Sequence, residues 1–81
     1  MSDKSLGQRL EDLNKELTRI TPGYCVKVNM AGRFNWKLVG PDGHVCYDRD
    51  SFDVLEALAL HTCRTRADAL RVILASRARF S

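Results

Sequence analysis

Long apolar runs are missing from this chain. No stretch approaches the roughly 18 consecutive apolar residues that a bilayer-crossing helix needs. Cysteine is scarce, three residues at 25, 46 and 63 with no CxxC spacing. An odd count without paired spacing argues against a disulfide scaffold and for reduced, partly buried thiols. Charge of one sign is not dominant either: 13 basic against 10 acidic residues gives a formal net charge of +3, which falls well short of a polybasic tail. A Gly-rich phosphate loop and paired carboxylates in a defined cleft are absent, and one short domain offers little room for a pocket. A binding protein rather than an enzyme is therefore expected, with no cofactor and no metal. The N-terminal stretch "MSDKSLGQRL" carries no apolar signal region, so a cytoplasmic protein with no membrane partner is expected.

What remains is an ordinary globular composition, 44% apolar and 28% charged over 81 residues. One domain spanning 1–81 is the expectation. A domain this small buries only about 60–65% of its unfolded surface, so dimerisation would help it. The charge excess lies toward the C-terminus, where residues 51–81 carry five arginines against three acids. It permits contact with phosphates or an acidic partner.

Residues 4–20 read as an amphipathic helix. Leu6, Leu10, Leu13, Leu17 and Ile20 recur every three or four residues on one stripe. Covering one face of the domain is the favoured role, and a dimer or partner-helix seam is the alternative. Ser2 or Ser5 is placed to cap the helix, and "TPG" at 21–23 to end it. Alternation then predicts strands over 24–30, 33–39 and 44–48, with "GPDG" at 40–43 a tight turn. Asp50 or Ser51 caps a helix over 52–61, "TCR" turns, and Thr65 with Asp68 opens a last helix over about 66–79. The expected fold is α+β, in the order αβββαα: an N-terminal helix (4–20), a small antiparallel meander (24–48) and a C-terminal helix-turn-helix pair (51–79).

Within "LEALALHTCRTRADAL", a Leu/Ala-rich helix, a short turn and Arg-Thr-Arg opening a second helix make residues 45–74 resemble a ribbon-helix-helix domain. The resemblance implies a dimeric DNA-binding regulator. Thr65 and Arg66 would hold a phosphate at the second helix's N-terminus, joined by Arg64, Arg71 and Arg79 as phosphate or acidic-partner contacts. His44, Cys46 and Asp48 would face the groove, where none offers the bidentate base contact of Arg, Lys, Asn or Gln. A second stretch, "GRFNWKLVGPDGHVCYDRDSF" (32–52), resembles the hairpin of YegP-type domains and implies a fold element without chemistry. The expected partners are thus duplex DNA or an acidic protein surface, and the expected state is a homodimer. The alternative function is that of a phage- or mobile-element-encoded inhibitor, blocking a host or defence protein by direct contact.

Two other features have competing readings. His44-x-Cys46 and His61-x-Cys63 supply two His and two Cys, but the usual zinc spacings are missing, which favours ordinary residues. Trp36 with Phe34, Lys37 and Arg33 offers an aromatic-basic surface for single-stranded nucleic acid. The alternation instead favours Phe34 and Trp36 in the core.

Overall fold

The computed structural model describes residues 4–29 and 35–80, with the side chains of Arg79 and Phe80 excluded. Ser2, Met30 and the segment 31–34, including Arg33 and Phe34, lie outside the described residues. Five elements follow one another: α1 (Leu6–Ile20), β1 (Cys25–Asn29), β2 (Asn35–Val39), β3 (Val45–Arg49) and α2 (Phe52–Phe80). The α+β class and the meander match the sequence reading. The C-terminal helix pair does not, because α2 is one continuous helix of 29 residues, and the order is αβββα.

The local reasons are plain at both ends of α1. Ser5 is extended and its hydroxyl accepts from the Gln8 N–H, the standard cap geometry. Thr21 leaves the helix in an extended conformation, as a residue before proline must tend to do. Its hydroxyl donates across to the carbonyl of Cys63 in α2 at 2.9 Å. Ser51 accepts at the start of α2 from Val54 N–H, and Asp53 in the first turn suits the positive helix end.

The absent break at 62–65 also has a physical reason. Thr62, Cys63 and Thr65 cost a helix only a few tenths of a kcal/mol each, and neither glycine nor proline stands there to stop it. Cys63, placed in a turn by the sequence reading, is a fully buried core residue.

The sheet has the order β1-β2-β3, antiparallel throughout. Val26 lies opposite Leu38 and Val28 opposite Trp36, which puts these side chains on one face. That face meets Leu13 and Leu17 of α1 and Phe52, Leu55, Ala59 and Cys63 of α2. Trp36 is buried and meets the Phe52 ring edge-on at 4.9 Å between centroids, so its core role holds. Arg9 lies 4.7 Å over the same Phe52 ring and bonds Asp53 at 2.6 Å, tying α1 to the start of α2. The GPDG turn closes as expected. Gly43 N–H donates to Gly40 C=O, His44 N–H to the Asp42 carboxylate, and Gly43 takes φ +85°.

Candidate interaction surface

Helix α2 has two halves in very different surroundings. From Phe52 to Cys63 its inner stripe, Phe52, Leu55, Ala59 and Cys63, is buried. The same spacing continues through Ala67, Leu70 and Leu74, so these residues extend the stripe along the helix. They have no core to meet. Ala67 is half-buried, Leu70 is 46% exposed, Ile73 49% and Leu74 62%. Val72, on the opposite side of the helix, is 65% exposed. At 1.5 Å per residue the 17 residues past Cys63 form an arm of about 25 Å, within a molecule 51 Å along its longest axis.

Five arginines and one aspartate decorate the arm. Arg64, Thr65, Arg66 and Arg71 are all exposed, and Arg71 lies 3.4 Å from Asp68 one turn back. Arg64 also lies close enough to α1 that its charge helps hold the Glu16 carboxyl below the usual range, after the larger effect of Arg19. Arg79 belongs to the helix, but its side chain is outside those described. Thr65 and Arg66 sit mid-helix, where backbone N–H groups are used by the preceding turn. The phosphate seat expected from a free helix N-terminus at these residues is therefore not formed, because that terminus lies at Phe52.

Arg66 meets the body of the protein. With Tyr24, Gly40, Pro41, Asp42, His44 and Cys46 it lines a cleft between α2 and the GPDG turn. His44 and Arg66, separate proposals in the sequence, share this one site. Its signal was the Gly-Pro-Asp-Gly reversal, which brings residue 44 back to the helix, but the direction of α2 could not be read from the turn alone.

The strand set His44, Cys46 and Asp48 is exposed but does not form one regular row. Val39 pairs with Val45 and Leu38 with Tyr47, so Cys46 is the extra residue of a bulge. Strand β3 pairs with β2 of its own chain. Its other edge carries no strand among the described residues. On α1, Leu13 and Leu17 are buried, and Leu10 and Ile20 pack against the core. Only Leu6 of the five stripe residues is largely exposed, so the stripe serves the protein's own core.

The remaining polar groups are separate. His61 is exposed while Cys63 is buried, since residues two apart on a helix face different ways. No group of three or more His, Cys, Asp or Glu side chains suited to a metal occurs among the described residues. A polar cleft lies between Asn29, Asn35, Asp48, Arg49 and Asp50. There Asn35 Nδ2 donates to the Asp48 carboxylate, and its buried Oδ1 has no donor among the described residues. No described helix is long and apolar enough to cross a membrane.

No protein family, curated protein or solved structure matches this chain.

Proposed function

We propose that this is a small, non-enzymatic binding protein that acts by direct contact with a protein target, through the outward side of the α2 arm. The observation that carries the reading is Val72, 65% exposed on the side of the helix where Arg64, Asp68 and Arg71 project. Arginine mixed with bare aliphatic surface suits a protein partner with acidic and apolar groups, because such contacts gain from desolvation as well as charge. Phosphate contact needs the charge alone. Blocking a host or defence protein, in the manner of a phage-encoded inhibitor, is the form of action that fits this exposed apolar and basic surface.

DNA binding by a ribbon-helix-helix route is the second reading. It keeps the exposed Arg64, Arg66 and Arg71 in its favour. It lacks the helix N-terminus at Thr65 that would seat a phosphate.

Two measurements on purified protein separate the readings. The first is titration against mixed duplex DNA at low and moderate salt. The second is capture from nuclease-treated host lysate, with Arg71→Glu/Val72→Glu as control. The expected result is no salt-sensitive duplex complex, and a captured protein that the double variant loses. A duplex complex that weakens steeply with salt and is lost in Arg66→Ala would overturn the proposal in favour of DNA binding.

A further inference from the structure

The inner stripe of the α2 arm asks for a cover. A folded monomer of 9.2 kDa is expected to expose about 4,900 Å², whereas this chain exposes 5887 Å². Its radius of gyration is 15.0 Å, against about 12 Å for a globular domain of this length. The excess, about 1,000 Å² per chain, is close to the roughly 800 Å² that each partner contributes to a standard stable interface. The arm contributes to that excess, since the described residues 68–78 are all exposed.

We infer that a second copy of this chain covers the stripe, the two α2 arms packing antiparallel with Ala67, Leu70, Ile73 and Leu74 of each against the other. Steric and electrostatic arguments select this arrangement. The stripe lies on the same side of α2 as the sheet and α1. Two parallel arms packed through it would drive the two bodies into the same space. Antiparallel arms put the bodies at opposite ends. Each arm then fits the length free on the other, from Arg64 to Phe80. A twofold axis on the stripe side, at the level of residue 72, sets Leu70 against the other copy's Leu74, and Ala67 leaves room for the stem of Arg77.

Charge points the same way. A parallel pair would align five arginines with their own counterparts. The antiparallel pair instead carries Arg77 to the level of the other copy's Arg66 cleft, where Asp42 stands. The acid that this register offers to Arg77 is Asp42, which lines the cleft beside Arg66. Closure is twofold and isologous, so association stops at two. The outward side of the arm, with Arg64, Arg71 and Val72, stays available, and the inference stands whether or not that side binds a target.

The test uses the purified chain alone. Mass in solution and far-ultraviolet helicity are followed from low-micromolar to sub-millimolar concentration, for the wild type, Leu70→Ser/Leu74→Ser, Arg77→Asp, and Arg77→Asp with Asp42→Arg. A wild-type dimer is expected, with helicity rising as it forms, because an uncovered arm of this length is a marginal helix in water. The double serine variant is expected to weaken association roughly a hundredfold or more while Trp36 fluorescence keeps its folded value. Arg77→Asp is expected to weaken it, and the charge swap to restore part of the loss. A chain that stays monomeric throughout overturns the inference. So does a dimer that survives Leu70→Ser/Leu74→Ser, which would place the contact elsewhere, for example on the β3 edge. A dimer that loses nothing in Arg77→Asp overturns the antiparallel register.

Discussion

Asn14 and Val26 exchange two hydrogen bonds. The Asn14 amide donates to the Val26 carbonyl at 3.1 Å, and its oxygen accepts the Val26 N–H at 2.7 Å. A side chain of α1 thereby imitates a neighbouring strand at Val26 on the outer edge of β1 and occupies that pairing position. Replacing Asn14 by Ala leaves two half-buried backbone groups to find water, at a cost of about 1–3 kcal/mol. Asn14→Asp keeps the acceptor and loses the donor, so it is expected to fall between wild type and Ala near neutral pH. Urea unfolding followed by Trp36 fluorescence would rank the three proteins, and equal midpoints would show the clamp to be inert.

Cys63 and Cys46 are expected to differ as nucleophiles. Cys63 is fully buried, and desolvation, with a smaller contribution from Cys46, pushes its thiol above the ordinary value. Cys46 is exposed. A disulfide-exchange reagent at mildly alkaline pH should therefore modify Cys46 rapidly and Cys63 only as the protein opens. The sign of the linked stability follows. A thiol raised in the folded state favours folding while it stays protonated, below its unfolded value, and that contribution is lost as pH rises through the folded one. Cys63→Ala is expected to flatten the alkaline limb of the stability profile. An unchanged limb would assign it to other groups.

The sequence carried most of the body. The Leu stripe of α1, the alternation of Val26, Val28, Trp36 and Leu38, and the Gly40–Gly43 reversal are local signals, and local physics decides them. The sequence predicts a break in α2 because Thr65 suits a cap, with Asp68 as a weaker stand-in for the usual Glu. A capping residue permits a helix start but does not force one, and an uninterrupted helix already satisfies the same N–H groups. The apolar spacing through 52, 55, 59, 63, 67, 70 and 74 was the signal for one helix. The cleft of Arg66 with Asp42 and His44 was not legible, because it depends on how α2 lies across the sheet.

Gly23 and Gly43 both take positive φ, +103° and +85°, yet their surroundings differ. A Cβ on Gly43 meets nothing within 4 Å, whereas one on Gly23 stands 2.9 Å from Pro41 Cγ. Gly43→Ala is expected to cost only the left-handed backbone penalty, about 1–2 kcal/mol. Gly23→Ala adds a collision with the turn that forms the Arg66 cleft. A thermal melt of the two variants should place Gly23→Ala clearly lower. The reverse order would mean that the Pro41 turn yields freely.

Leu55 and Leu74 stand on one stripe of one helix and should respond in opposite ways to truncation. Leu55 is fully buried, so Leu55→Ala removes core contacts and leaves a cavity, a loss of about 2–5 kcal/mol at any protein concentration. Leu74 is 62% exposed in the single chain. In dilute solution Leu74→Ala should change stability by less than about 0.5 kcal/mol, since alanine suits an exposed helix at least as well. At high concentration the two proteins should part. A wild-type chain covered by its own second copy gains stability by mass action, and its unfolding midpoint should climb with concentration while that of Leu74→Ala climbs less. A midpoint independent of concentration in both would mean that the stripe stays bare in the purified protein. A large loss in dilute Leu74→Ala would mean that the arm packs on its own body.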